Sequence, residues 1–176
     1  MKRAVIIIAS EEFRDEEYFV TKEVLRQGGI YIQTACDKCK AVGKFGGEAD
    51  ADILVNDLNV DEFDAIILPG GQGAVKLLDN ELMYSIINKA LAKGKIVAAI
   101  CIAPTILAKA GILKGKRATV WSTSLDRSAI NVLRDNDAIY ERKEIVIDGK
   151  IITAENAEFA EEFGQAVLSE LTKDGK

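Results

Sequence analysis

The chain has 176 residues, 48% hydrophobic and 29% charged with two prolines, so it forms one globular domain and is neither disordered nor fibrous. Lys and Arg total 23 against 28 Asp and Glu, a net charge of −5 spread along the length, which offers no basic patch to nucleic acid and no polybasic run to a membrane. The chain contains no histidine, so a Ser-His-Asp or Cys-His triad is excluded and any chemistry proceeds without imidazole.

Arg3 to Ala9 is a continuous β-branched apolar run, the pattern of a strand covered on both faces. Glu16 to Gln27 has helical spacing of Tyr18, Phe19, Val24 and Leu25, and Gly28-Gly29 stops it. Tyr31 to Ala35 and Ala65 to Leu68 read as strands, the second ending in the turn Pro69-Gly70-Gly71. Asn80 to Ala92 predicts a helix stopped by Gly94, Ile96 to Ile100 another buried strand, and Ala103 to Ala110 a helix closed by Gly111. Short strands follow around Ala118 to Val120, Ala138 to Tyr140, Glu144 to Ile147 and Ile151 to Thr153, with a hairpin turn at Asp148-Gly149. Glu158 to Leu171 predicts a final amphipathic helix. One domain over 1–172 and a polar tail over 173–176 are expected.

This alternation of strands and helices predicts an α/β sandwich with a mostly parallel sheet, whose ligands bind beyond the carboxyl ends of the strands. The apolar runs are too short to span a bilayer, and the acids after the first break a signal-peptide pattern. A cytoplasmic location is expected. Three cysteines without regular spacing read as free thiols.

Cys101, in AAICIAP, stands at the end of the strongest strand and just before a helix. A thiol there faces unpaired N–H groups and the helix dipole, which are expected to lower its pKa from about 8.5. The N–H of Ile102, with Gly70 and Gly71 on the neighbouring turn, could hold an oxyanion. The alternative is a small buried core cysteine. Cys36-Asp-Lys-Cys39 lacks two further zinc ligands and follows a strand, so it reads as a plain loop, and Gly70 to Gly73 lacks the Gly-Lys-Ser/Thr of a phosphate loop. No metal and no cofactor is expected.

FDAIILPGG (Phe63 to Gly71), AAICIAP (Ala98 to Pro104) and AGILKGKRAT (Ala110 to Thr119) together resemble the ThiJ/PfpI superfamily, which includes the parkinsonism-associated deglycase and shares the class I glutamine amidotransferase-like fold. The resemblance extends to AVIIIA and EVLRQGGI (Glu23 to Ile30) at the start, and to DGKIITA (Asp148 to Ala154) and EFAEEFGQAVLSEL (Glu158 to Leu171) at the end. It implies a flavodoxin-like three-layer sandwich, a homodimer or higher oligomer, and a nucleophile elbow carrying Cys101. The acid that bonds this cysteine falls in FRDEE (Phe13 to Glu17), at Glu17 counted back from Gly28-Gly29 or at Glu16 counted forward from the first strand; Glu17 is preferred. Most acids from Glu11 to Glu17 are expected to be a solvated helix start.

The chain departs from the family's histidine-bearing patterns. Ile102 follows the cysteine where protease-like members have histidine, Val75 stands where they have glutamate, and Trp121 takes the place of the histidine of deglycase-like and glyoxalase-like members. Trp121 then either fills that space or walls an apolar pocket beside the cysteine. Ser122, Thr123 and Ser124 are weak bases, and Glu155 and Asn156 replace a Gly-Pro-Gly stretch at the rim. The resemblance implies a reactive, oxidisable Cys101 acting on small electrophiles such as reactive carbonyls, with turnover left open. A binding or chaperone-like scaffold is the alternative, and peptidase activity ranks third because its triad is missing.

Overall fold

A computed structural model describes residues 1–173. Arg3–Ile8 forms strand β1, Glu11–Phe13 β2, Asp15–Gln27 helix α1, Tyr31–Cys36 β3, Lys40–Gly43 β4, Glu48–Asp50 β5 and Ile53–Leu54 β6. Ala65–Leu68 is β7, Glu81–Ala92 α2, Ile96–Ile100 β8, Pro104–Lys109 α3, Arg117–Ala118 β9 and Ser128–Asp135 α4. Ile139–Tyr140 is β10, Ile145–Asp148 β11, Ile151–Ala154 β12 and Ala160–Thr172 α5.

Among the described residues a seven-stranded sheet runs in the order β11-β12-β8-β7-β1-β3-β6. Its pairings are parallel except β11 with β12, which form the expected hairpin with Gly149 at φ 62°. The apolar runs of β1 and β8 have no exposed face because both sides of the sheet are covered. Tyr18 and Leu25 of α1 and Phe163 and Val167 of α5 pack on one side. Ile87 of α2, Ile106 and Leu107 of α3 and Leu133 of α4 pack on the other. The result is the three-layer α/β sandwich implied by the residues.

Several boundaries differ from the sequence expectations for local reasons. Asn80 caps α2 instead of opening it, its side chain accepting the Met83 N–H at 3.0 Å. A 3₁₀ turn over Ala157–Phe159, capped by Asn156, precedes α5, which therefore starts two residues later than Glu158. Helix α4 and the small sheet β2-β4-β5 were not expected. Their segments are short and lack a long apolar run, and the small sheet forms because Asp15 gathers the β4–β5 turn, accepting the N–H groups of Phe45 and Gly47 at 2.9 and 2.7 Å. Lys173 continues the last turn of α5, and the rest of the expected tail, 174–176, lies outside the described residues. No described helix is long and apolar enough to cross a membrane.

The sheet register decides where chemistry can sit. Leu68 pairs with Ala99, so the turn after β7 and the residue after β8 emerge side by side at the carboxyl edge, next to the loop that leads from β1 into α1.

Candidate active site

Cys101 follows the buried end of β8 with φ 64°, a left-handed conformation that costs a non-glycine residue about 1–3 kcal/mol. Backbone bonds on both sides hold it. Its N–H donates to Ala154 of β12 at 3.0 Å, and its carbonyl accepts the Trp121 N–H at 2.8 Å. The thiol is half-buried at the edge of the sheet.

Glu17, in the first turns of α1, is fully buried and reaches this elbow, whereas Glu16 faces solvent in an ion pair with Arg14 at 2.9 Å. The structure thus favours Glu17 over Glu16 as the acid near the thiol. Its Oε2 accepts the Gly70 N–H at 2.6 Å, and the buried carboxyl lies within hydrogen-bonding reach of the Cys101 thiol. Burial pushes the Glu17 carboxyl up to about 7, against the opposing pull of Gly70, Cys101 and Arg14.

Two expectations for this turn are corrected. The Gly70 N–H is already used by Glu17, so Gly70 positions the acid and does not serve an oxyanion. Its lack of a side chain is still required, since a Cβ there would lie 2.9 Å from the Cys101 Cβ and 3.0 Å from the Ile100 carbonyl. The thiol's pKa is also raised and not lowered, first by burial and then by the charge and hydrogen bonding of ionised Glu17. The six-residue α3 carries little aligned dipole. The Ile102 N–H, which bonds the sulfur, and the Arg14 charge offset only part of the rise. A thiolate at Cys101 therefore depends on Glu17 keeping its proton.

Two hollows open on the elbow. One, of about 360 Å³, is lined by Arg14, Lys44, Gly71, Cys101, Trp121 and Asp126. The other, of about 300 Å³, brings Glu17, Ser122, Asn156 and Glu158 around Cys101. Gly71 has φ 97°, and a Cβ there would strike the Glu12 carbonyl at 2.4 Å. Gly71 and Ile102 both line the first hollow. The Trp121 ring borders both hollows, so it walls the cysteine and does more than fill a core space. Val75 and Ile102 add apolar lining to the first hollow.

The remaining sequence candidates stay apart from this chemistry. Cys36 is buried and its thiol pushed up to about 11, chiefly by burial, while Cys39 is exposed on the loop. The Thr123 hydroxyl accepts the Leu125 and Asp126 N–H groups and is tied into its own turn. Among the described residues, no group of three or more Cys, Asp and Glu is arranged to hold a metal ion. Arg14 and Lys44 were missed in the sequence. Arg14 sits inside the FRDEE stretch, but Lys44 arrives through the unexpected small sheet.

The DJ-1/PfpI family model matches residues 2–170. An uncharacterized protein of Methanocaldococcus jannaschii is 35% identical over 99% of this chain and 84% of its own length. The deglycase PfpI of Pyrococcus furiosus is 32% identical over 85% of this chain and 88% of its own. The crystal structure of a ThiJ/PfpI domain protein from Brachyspira murdochii superposes with a TM-score of 0.91 at 28% identity, covering 97% of this chain and 96% of that one. In sequence and in fold, this chain belongs to the DJ-1/PfpI family.

Proposed function

We propose that the chain acts through Cys101 as a reactive, oxidisable thiol in oxidative or reactive-carbonyl stress. The observation that carries this reading is the buried Glu17 carboxyl, one oxygen held by the Gly70 N–H, set beside a thiol on a strained elbow. With Glu17 protonated, the Cys101 thiolate adds to an aldehyde carbon: the C–S bond forms as the C=O π pair moves to oxygen, and Glu17 gives that oxygen its proton. Gly71, which lines the same hollow, is the backbone position left to support the developing charge. The adduct is a thiohemiacetal, the sum of thiol and aldehyde. Relatives named as deglycases support the carbonyl side of this reading, and three free thiols support a reducing, cytoplasmic setting.

Mixing the protein with glyoxal and following both aldehyde and free Cys101 tests the carbonyl reading. Loss of the Cys101 thiol and faster aldehyde consumption than in Cys101→Ala are expected; equal rates in the two proteins would refute it. Under limiting peroxide, each equivalent transfers one oxygen to sulfur and leaves as water. Peptide mapping should then find sulfenic or sulfinic acid at Cys101 before Cys36 or Cys39. Earlier oxidation of the Cys36/Cys39 pair would move the site away from the elbow.

A second reading, a binding scaffold, is favoured by the missing imidazole and by the exposed apolar side chains Phe19, Val42 and Phe45 around α1 and β4. We also propose a homodimer or higher oligomer for the chain. Peptide hydrolysis is expected to be absent or trace, since losing a general base typically costs about 10²- to 10⁴-fold.

A further inference from the structure

The hollow beside Cys101 is lined by Arg14 and Lys44 although the chain carries a net charge of −5. Two cations from separate segments are brought there by backbone. The Arg14 N–H donates to the Gly70 carbonyl at 3.1 Å, and the Lys44 N–H to the Phe13 carbonyl at 2.9 Å. The Phe45 ring gathers both heads, with the Arg14 guanidinium carbon 4.9 Å and the Lys44 Nζ 5.7 Å from its centroid. Asp15 fixes the Phe45 backbone in turn.

Of the acids near these cations, Glu16 pairs with the Arg14 Nε at 2.9 Å, and Glu12 and Glu17 lie within charge range of Lys44 and of Arg14, but none of the three lines this hollow. Asp126 lines the opposite wall, where its carboxylate accepts both the N–H and the hydroxyl of Ser128. Two positive side chains therefore share the hollow with one bonded carboxylate and the reactive sulfur. Neutral aldehydes need no such pair of cations. Their placement suits a charge carried by the substrate a few ångströms from its electrophilic carbon.

Resting on the reading of Cys101 as the reactive thiol, we infer that this hollow selects small electrophiles that carry a negatively charged group beside the reacting carbon, as in an α-oxo acid, with Arg14 and Lys44 setting the preference. The guanidinium can take a carboxylate through two parallel N–H bonds, and the ammonium adds a movable point charge.

Alkylation by iodoacetate and by iodoacetamide tests the preference without assuming turnover. In both reactions the thiolate attacks the methylene carbon, the C–S bond forms, and iodide leaves with the C–I bonding pair. The reagents differ chiefly in charge, so the ratio of their rates at Cys101 cancels any change in the thiolate fraction. Relative to 2-mercaptoethanol, the ratio of iodoacetate to iodoacetamide rates should be about three- to tenfold higher. It should fall about two- to threefold in Lys44→Gln, further in Arg14→Gln with Lys44→Gln, and likewise in the unaltered protein as salt is raised to about 1 M. A ratio equal to that of the free thiol, or one that neither salt nor the double substitution changes, would overturn the inference while leaving the reactive thiol intact. No reaction with either reagent would sink the reactive-thiol reading, and this preference with it.

Discussion

Glu17→Gln is expected to make the folded protein more stable at pH 8 by about 3 kcal/mol. The sign follows from the carboxyl's raised pKa, about 7 in the folded chain against an ordinary 4.5. Below pH 4.5 both states hold the proton and burial carries no ionisation penalty. Between 4.5 and 7 the unfolded chain releases it while the folded chain does not, so stability falls as pH rises, and above 7 the loss is complete. At roughly 1.4 kcal/mol per pH unit this accounts for the expected size. Glutamine can still accept the Gly70 N–H and has no proton to lose. Urea melts at pH 4.5 and pH 8 check it: the advantage of the variant should be small at the lower pH and large at the higher. An equal difference at both would show that Glu17 ionises as a solvated acid. A native glutamate here lowers stability at neutral pH, as expected where a site is kept for function.

The same position is expected to control the thiol. In the unaltered protein, thiolate absorbance should stay low above pH 7, because burial and ionised Glu17 both oppose a second negative charge. Glu17→Gln removes the charge but keeps a donor, so the Cys101 titration should move down and become a single step. Glu17→Leu removes both, and its thiol should titrate about one to two pH units above the Gln variant, the worth of a hydrogen bond to a charged group. On a background lacking Cys36 and Cys39, absorbance against pH measures all three. Superimposable curves would reduce the site to one cysteine and a backbone turn.

The parts of this architecture that were legible in the sequence are those where one segment determines its own environment. Ile96–Ile100 is a strand because five consecutive apolar residues leave no polar face, and the cysteine after it stands at the sheet edge whatever its neighbours do. Motif order then gave Glu17, but only contact could separate it from Glu16, since two adjacent acids at a helix start look alike until one turns inward. Gly70 was placed beside Cys101 correctly, yet its N–H went to the acid, a choice made between segments 53 residues apart. The direction of the thiol shift was misread for a similar reason: the short helix was visible, whereas the extent of burial and the charge of Glu17 belong to the assembled site. Lys44 shows the same limit. KAVG and EAD carry no pattern that predicts pairing, and the Asp15 carboxylate that draws their turn onto α1 is one acid among many.

The backbone clamp on the elbow also bears on when, during folding, this chemistry comes into being. Cys101 is held by Ala154 from β12 and by Trp121, both made after it, while Glu17 in α1 is made long before. Parallel pairings between distant segments form slowly, since the connecting chain must first be ordered. Until β12 docks on β8, the Cys101 N–H lacks its Ala154 partner and the elbow lacks one of its two backbone clamps. The strained elbow is therefore completed late in the chain, by residues made after both the cysteine and the acid.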